Sequence, residues 1–144
     1  MKMSAKSEYG LRAMAALAGY DGSAPVSLRE IAGGEHIPVE FLEQIFVDLR
    51  RAGFVRSVRG VKGGYLLARP AEDITLRELL NTLEGSLAPM DCLKPDSGTT
   101  CALVDGCSTR KVWIVMMASM TEALGQMTLA DLLTPHPAKV AQDV

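Results

Sequence analysis

Apolar residues recur at intervals of three and four along most of the chain, and this spacing predicts a mainly helical protein. It is clearest over residues 7–20, 38–53 and 108–127. One face of a helix receives every third or fourth side chain, so each of these segments has an apolar face that must pack against another element. We therefore expect the chain to fold around helix-on-helix contacts.

A short helix, a tight turn and a longer helix are predicted in the first third of the chain. The capping box Ser27-x-x-Glu30 opens the short helix, which we expect to end at Gly33-Gly34. Pro38 then stands at the first turn of the longer helix, where its missing N–H group is not needed. This succession is the spacing of a helix-turn-helix.

A β-hairpin is predicted directly after the helix-turn-helix. Two β-prone runs, residues 54–58 and 65–68, flank a loop of glycine, valine and basic residues at 59–64. A hairpin in this position is a wing, so the predicted fold class is mainly α, an α+β winged helix-turn-helix. A second capping box, Thr75-x-x-Glu78, opens a further helix that Gly85 ends.

The longest predicted helix, residues 108–127, is apolar on more than one face. Five of its side chains follow a 4-3-4-3 spacing, which is typical of a helix-on-helix seam: Trp113, Met117, Met120, Leu124 and Met127. A small single domain rarely buries a helix on several sides. We therefore predict a C-terminal dimerisation helix that two subunits share in a homodimer.

The distribution of charge along the chain says more about possible binding partners than the net charge does. The 144 residues carry 15 Lys and Arg against 17 Asp and Glu, and the net charge of −2 excludes a bulk polycation that coats nucleic acid. Residues 49–69, however, hold six basic side chains and no acidic one, whereas residues 70–106 hold seven acidic and two basic side chains. The basic segment includes the wing, and it predicts a phosphate-binding surface.

We predict that the longer helix of the helix-turn-helix enters the major groove of double-stranded DNA, with the wing on phosphates or in the minor groove. Gln44 can pair with adenine, and Glu40 and Glu43 can accept a hydrogen bond from the cytosine amino group. The predicted DNA-contacting residues are Ser27, Pro38, Val39, Glu40, Glu43, Gln44, Arg50, Arg59, Gly60 and Lys62. The alternative is a winged helix used for protein contacts, whose basic residues form a solvated face.

The three cysteines, Cys92, Cys101 and Cys107, fall within 16 residues of a proline- and glycine-containing loop. An odd number excludes a disulfide framework that pairs every cysteine. The C-x8-C-x5-C spacing is poor for zinc, which prefers four ligands and a closely spaced pair. Three thiolates from such a loop can hold an iron–sulfur cluster, and buried structural cysteines or redox-active thiols stay open as alternatives.

Several motifs together carry a resemblance to one protein family. They are Ser7-Glu8-Tyr9-Gly10-Leu11-Arg12-Ala13-Met14, Ile37-Pro38, Phe41-Leu42-Glu43-Gln44-Ile45-Phe46, Val58-Arg59-Gly60, Gly63-Gly64-Tyr65-Leu66-Leu67 and Thr128-Leu129-Ala130-Asp131-Leu132. By these motifs the chain resembles the Rrf2 family of bacterial transcription regulators over residues 1–133. The resemblance implies a homodimeric winged-helix repressor or activator on a near-palindromic operator, and a [2Fe–2S] or [4Fe–4S] cluster held by the three cysteines.

The resemblance also bears on a fourth cluster ligand. Family members that control cluster biogenesis typically have a histidine three residues after the third cysteine, where this chain has Arg110. Nitric-oxide-sensing members take an acidic ligand from the first helix of the partner subunit, and Glu8 occupies a similar position. Glu8 can instead pair with Arg12 one helical turn away.

The expected function is a DNA-binding regulator whose operator affinity is set by a cluster that senses redox, nitric oxide or iron–sulfur status. The alternative is a cluster-free regulator controlled by thiol oxidation or a partner protein. No enzyme activity is expected, because no phosphate-binding glycine motif, nucleophile with a base or pair of catalytic carboxylates is recognisable.

A cytoplasmic protein that does not associate with membranes is expected. Its longest apolar run, residues 112–118, is far shorter than the roughly 18 residues that suggest a membrane span. Glu8 and Arg12 interrupt the stretch where the apolar core of a signal peptide would lie. We divide the chain into a winged helix-turn-helix DNA-binding domain (1–84), a cysteine-bearing cluster loop (85–107), a dimerisation helix with a terminal turn (108–133) and a flexible tail (134–144).

Overall fold

The computed structural model describes residues 2–95 and 101–133, so the predicted tail at 134–144 lies outside the described residues. The described helices are α1 (Ala5–Ala18), α2 (Leu28–Glu35), α3 (Val39–Arg51), α4 (Leu76–Glu84) and α5 (Arg110–Gln126). An antiparallel hairpin of β1 (Val55–Val58) and β2 (Gly64–Leu67) follows α3. This architecture confirms the predicted mainly α, winged helix-turn-helix class. No described helix is both long enough and apolar enough to cross a membrane.

The two predicted capping boxes form to different extents. At α4 the box is complete: the Thr75 side chain accepts from the Glu78 N–H at 3.3 Å, and the Glu78 carboxylate accepts from the Thr75 N–H at 3.2 Å. At α2 the Ser27 side chain accepts from the Glu30 N–H at 3.2 Å. The Glu30 carboxylate accepts instead from the Tyr20 hydroxyl at 3.0 Å, which ties α2 to the end of α1.

Helix α2 continues through Gly33 and Gly34, where we expected it to end, and reaches Glu35. Arg12 of α1 donates to the backbone carbonyl of Glu35 and, at 3.2 Å, to its carboxylate, so the last turn of α2 is held by a neighbouring helix. His36 then ends the helix in the left-handed conformation, with φ 54° and ψ 45°.

The core lies where α1, α3 and α4 cross, with α2 packed on α1 and α3. Helices α1 and α4 approach closely at Gly10, where an added Cβ atom would lie 2.7 Å from the Leu83 side chain. Leu129, in the short 3-10 helix Leu129–Leu133 that follows α5, is fully buried in this same core. The chain therefore leaves the winged helix-turn-helix through α5 and returns to it.

The wing is fastened to the rest of the domain at Tyr65. Val26 and Tyr65 exchange two backbone hydrogen bonds, at 2.9 and 2.8 Å, which adds a single bridge to the edge of the hairpin. The Tyr65 ring also meets the Phe46 ring of α3 edge-to-face, with centroids 4.9 Å apart. Gly64 allows this approach, because a Cβ atom there would lie 2.3 Å from the Val26 carbonyl oxygen.

Helix α5 differs from the other helices because none of its residues is buried. Of the predicted seam, the side chains of Trp113, Met117, Met120 and Leu124 are half-buried, whereas Met127 is exposed and follows the end of the helix; α5 packs against α4 within the same chain. The predicted seam thus already has a partial intramolecular partner. The opposite face leaves apolar side chains exposed in its first half: Val112 (53%), Val115 (54%) and Met116 (46%).

Candidate nucleic-acid interface and cysteine loop

Helix α3 has a buried apolar face and an exposed face that is mostly polar, with Phe41 and Val47 as its exposed apolar residues. Leu42, Ile45, Phe46 and Leu49 are buried in the core. Opposite them, the predicted base-contacting residues Glu40, Glu43 and Gln44 are all exposed in the first half of the helix. Side chains at these positions of the second helix are those that reach base edges when such a helix lies in the major groove.

The remaining predicted contacts on this motif lie in less uniform surroundings. Pro38 and Arg50 are exposed, and Ser27 is exposed with its side chain used as the cap of α2. Val39 is partly buried and packs against the core, so little of its side chain faces outwards.

Arg51, which sequence reasoning missed, completes the exposed stripe of α3. It follows Glu40, Gln44 and Val47 at intervals of four, three and four residues, and its side chain is 77% exposed. The helical spacing that predicted the buried face could have found it, since residues 11 apart lie on the same face after three turns. Arg51 therefore extends the exposed stripe of α3 by one turn, and Arg50 lies beside it.

The wing tip is a tight, basic turn. Its residues 59–62 are all exposed, and the Gly63 N–H donates to the Gly60 carbonyl at 3.0 Å to close the turn. Among the described residues neither Arg59 nor Lys62 forms an ion pair. Both cations are thus available to an anionic partner.

One acidic residue beside the stripe is neutralised by its neighbours. Asp48 accepts from the Lys6 ammonium at 2.7 Å and lies 3.6 Å from the Arg51 guanidinium. The hydrogen bond from Lys6 lowers the pKa of Asp48 below its ordinary value, and the charge of Arg51 acts in the same direction. The pair with Lys6 also joins the first turn of α1 to α3.

Glu8, which the family resemblance suggested as a ligand, lies on the first turn of α1. Its carboxylate is 3.8 Å from the Arg12 guanidinium, and its side chain is 64% exposed. An exposed pair at this distance contributes at most about 1 kcal/mol, so Arg12 does not hold the carboxylate in place. Glu8 remains accessible to a partner.

The three cysteine thiols lie between α4 and α5 and are all partly buried and free. Cys92 is in the short 3-10 helix Asp91–Leu93. Cys101 begins a turn in which the Val104 N–H donates to the Cys101 carbonyl at 3.1 Å. Cys107 precedes α5, and its sulfur lies 3.4 Å from the Thr109 hydroxyl oxygen. Hydrogen bonding by Thr109 lowers the pKa of the Cys107 thiol, and the nearby charge of Arg110 adds to this effect.

The donor chemistry of this loop fits an iron–sulfur cluster, because thiolates are the ligands such clusters prefer. The Nε atom of Arg110, three residues after Cys107, is buried and has no hydrogen-bond partner among the described residues. Within residues 2–95 and 101–133 no three histidine, cysteine or acidic side chains come close enough together to hold a metal ion. The thiols are thus present on one loop without being gathered at one point.

Comparisons with known proteins agree on one family. The Rrf2 family model, described as an iron-dependent transcriptional regulator, matches residues 3–135. The chain is 38% identical over 135 residues to the HTH-type transcriptional regulator IscR of Cereibacter sphaeroides, which covers 92% of this chain and 87% of that protein.

Solved structures share the same fold. The structure of CymR, the global cysteine regulator of Bacillus subtilis, superimposes with a TM-score of 0.77 at 33% identity, covering 92% of this chain and 96% of that one. The oxidized form of Staphylococcus aureus CymR has a TM-score of 0.74 at 34% identity, covering 95% of this chain and 99% of that one.

Proposed function

The chain belongs to the Rrf2 family of DNA-binding transcription regulators, and from this premise we propose that it is a homodimeric cytoplasmic regulator whose operator affinity is set by an iron–sulfur cluster. The signal is redox, nitric oxide or iron–sulfur status. Its relatives are named as regulators of transcription, which supports a function in binding rather than in catalysis.

The exposed stripe of α3, together with wing cations that form no ion pair among the described residues, is the observation that carries the DNA-binding part of this proposal. Glu43 and Gln44 present an acceptor and an amide to base edges, while Arg59 and Lys62 meet the backbone or the minor groove. The ring of Tyr65 packs on Phe46 of α3, and its backbone is hydrogen-bonded to Val26 before α2, so the wing and the helix-turn-helix meet DNA together.

Operator binding by single variants tests this assignment. Arg59→Ala should weaken binding to a duplex selected in vitro by about 5- to 150-fold and relax its sequence preference. Lys62→Ala, at a phosphate, should weaken binding to all sequences about equally. Lys111→Ala, which removes an exposed cation from α5, serves as the control. If Arg59→Ala and Lys62→Ala bind like the wild type, the winged surface is not the DNA interface.

The homodimer is supported by the apolar surface that α5 leaves exposed. Val112, Val115 and Met116 follow the spacing of one helix face, and each is roughly half exposed. Val115 and Met116 also line a cavity of about 320 Å³, together with Pro89, Met117, Ser119 and Met120. A second copy that packs its own α5 here would cover this surface, and would place two α3 helices for the half-sites of a near-palindromic operator.

Sedimentation of surface variants tests the dimer. Val115→Asp should yield monomers, because a charge would be buried without a partner at the contact. Gln126→Asp, on the last turn of the same exposed face, introduces the same charge outside the apolar half and should sediment as a dimer. Since Val115 is not buried within one chain, loss of folding does not explain a monomer. A dimeric Val115→Asp protein would place the contact elsewhere.

Cys92, Cys101 and Cys107 would hold the cluster, and Glu8 from a second copy would supply the fourth ligand. When bound, the cluster supplies iron that reacts with oxidants and nitric oxide. The chain contributes three partly exposed thiols, a Cys107 thiol whose pKa is already lowered, and an accessible Glu8 carboxylate. Ligation would order a loop that connects the winged domain to α5, and this links the state of the thiols to the positions of the α3 helices.

Anaerobic purification tests the cluster directly. We expect an iron–sulfur absorption spectrum, matching iron and sulfide counts, and a difference in operator affinity of about 5- to 150-fold between protein with and without the cluster. Cys101→Ser should lose the iron. Glu8→Gln should shorten the lifetime of the cluster, whereas Glu72→Gln, an exposed control, should not. Equal operator affinity in both forms would deny the cluster a regulatory role.

The second candidate is a cluster-free regulator governed by thiol oxidation or by a partner protein. It is favoured by the free, partly exposed state of all three thiols and by the similarity to the oxidized CymR structure. In this case protein purified without oxygen would hold no iron, and mild oxidation alone would change operator affinity. Cys107→Ser would abolish that response.

A further inference from the structure

Val61 stands at the tip of the wing with no packing partner. Its relative exposure of 107% is the highest among the exposed large apolar side chains of the described residues. With Lys62 it forms the corner of the turn that the Gly63 N–H and the Gly60 carbonyl close at 3.0 Å. Such corners favour glycine, proline, asparagine, aspartate or serine, and a branched apolar side chain gains nothing there from folding. A role outside the folded chain accounts for it better.

The charges around Val61 indicate the kind of surface that covers it. Arg59 and Lys62 flank it, both are exposed, and neither forms an ion pair among the described residues. A projecting apex between two cations is complementary to a narrow groove with anionic walls. The minor groove at A·T pairs has this character: its phosphates are close together, its floor carries the adenine N3 and thymine O2 acceptors, and no amino group projects from it.

The base of the wing is packed against α3 and hydrogen-bonded to the segment before α2. The two backbone hydrogen bonds between Val26 and Tyr65 hold its base, and the Tyr65 ring packs on Phe46 of α3. Gly64 has no space for a side chain, so this junction is tightly packed. With α3 in the major groove, the tip therefore meets the neighbouring minor groove at one fixed distance along the duplex.

We propose that Val61 is a specificity-determining residue that enters the minor groove beside each half-site and selects A·T pairs there. The proposal rests on the DNA-binding function proposed above. Arg59 and Lys62 supply attraction to the phosphates, and the Val61 methyl groups lie against the adenine edge. The amino group of guanine would occupy the same space, so a G·C pair would push the tip out of the groove.

Base replacement in the operator tests the proposal. The probe is a duplex selected in vitro with the purified protein, made with A·T, G·C or inosine·cytosine pairs beneath the wing. Inosine keeps the major-groove groups of guanine and lacks its minor-groove amino group. We expect the wild-type protein to bind the G·C duplex about tenfold more weakly than the A·T duplex. The inosine·cytosine duplex should regain that affinity.

Two variants assign the discrimination to the side chain. Val61→Ser, which suits the turn and disturbs no contact, should bind the G·C and inosine·cytosine duplexes about equally. Met3→Ser, at an exposed apolar side chain before α1 and outside the proposed DNA-binding surface, should keep the wild-type ratio. Equal binding of those two duplexes by the wild type, or an unchanged ratio in Val61→Ser, would overturn the proposal. Failure of the proposed DNA binding would differ, because the selection would then enrich no duplex.

Discussion

Helices α3 and α5 illustrate two ways in which an apolar face can be used. Helix α3 has 13 residues and buries four apolar side chains in its own domain, whereas α5 has 17 residues and buries none. The face of α3 that remains outside is mostly polar, while the outer face of α5 is apolar over its first half. Helix α3 is thus complete in one chain, and α5 is covered fully only if something else packs on it.

The largest expected effect tests whether α3 is stabilised entirely by contacts within its own chain. Phe46 is fully buried and contacts the ring of Tyr65, so Phe46→Ala should lower the free energy of unfolding by about 3–5 kcal/mol. Urea unfolding should show this loss at every protein concentration. The loss caused by Val115→Ala on α5 should instead increase with protein concentration, because it weakens association. If both variants lose free energy of unfolding by an amount that does not depend on protein concentration, α5 is not stabilised by association and does not differ from α3 in this respect.

A smaller effect is expected where the wing joins the domain. Gly64→Ala would bring a Cβ atom to 2.3 Å from the Val26 carbonyl, and relieving that overlap should cost about 1–3 kcal/mol. Operator binding should fall as well, because the wing would shift relative to α3. Gly33→Ala is the matched control: no atom lies within 4 Å of its added Cβ, and removing a helical glycine should stabilise by about 0.5–1 kcal/mol.

A gain in stability is expected at the turn between α2 and α3. His36 adopts a left-handed conformation that costs a side-chain-bearing residue about 1–2 kcal/mol and costs glycine little. His36→Gly should therefore raise the free energy of unfolding by about 1 kcal/mol. His36→Ala keeps the strain and removes the imidazole, so a gain in both variants would assign the effect to the side chain instead.

The smallest expected effect is the pH dependence at the junction of α1 and α3. Lys6 holds the pKa of Asp48 below its ordinary value of 3.8, so ionised Asp48 stabilises the fold above that pH. The contribution is lost as the pH falls through the lower pKa of the folded state. Both side chains are about one-third exposed, which limits the contribution to less than about 1 kcal/mol.

Unfolding of Asp48→Asn measured at neutral pH and near about pH 3 checks this effect. The difference between variant and wild type should be present at neutral pH and shrink in acid. Asp105→Asn, in the exposed loop before α5, is the control that should show no such change. A difference that persists unchanged in acid would mean that the amide disturbs packing rather than removing a charge.

Local chemistry explains why most elements could be predicted from the sequence. The complete box at Thr75 and Glu78 and the apolar spacing of α3 both depend on residues within one or two turns. The end of α2 could not be predicted in this way, because Arg12 holds Glu35 from another helix, 23 residues away. The seam of α5 has the same limitation, since spacing identifies an apolar face and not the element that covers it.

The candidate site shows the same division between local and distant contacts. Glu43, Gln44 and the wing cations are exposed where the pattern placed them, and helical spacing would have added Arg51. The helical spacing predicts Val39 on the exposed face with Glu40, yet Val39 packs against the core. At a helix boundary, the burial of a side chain depends on the residues that pack next to it. Those neighbours come from other parts of the chain and cannot be identified from helical spacing.

By itself the sequence determined the order of helices and strands, the winged helix-turn-helix, the family and the presence of three thiols on one loop. These follow from short-range spacing and from motifs that few folds share. The tertiary structure alone decided that Leu129 returns to the core and that Val26 bonds to the wing. Each of these depends on contacts between segments far apart in the chain, whose energies are set by packing and not by local pattern.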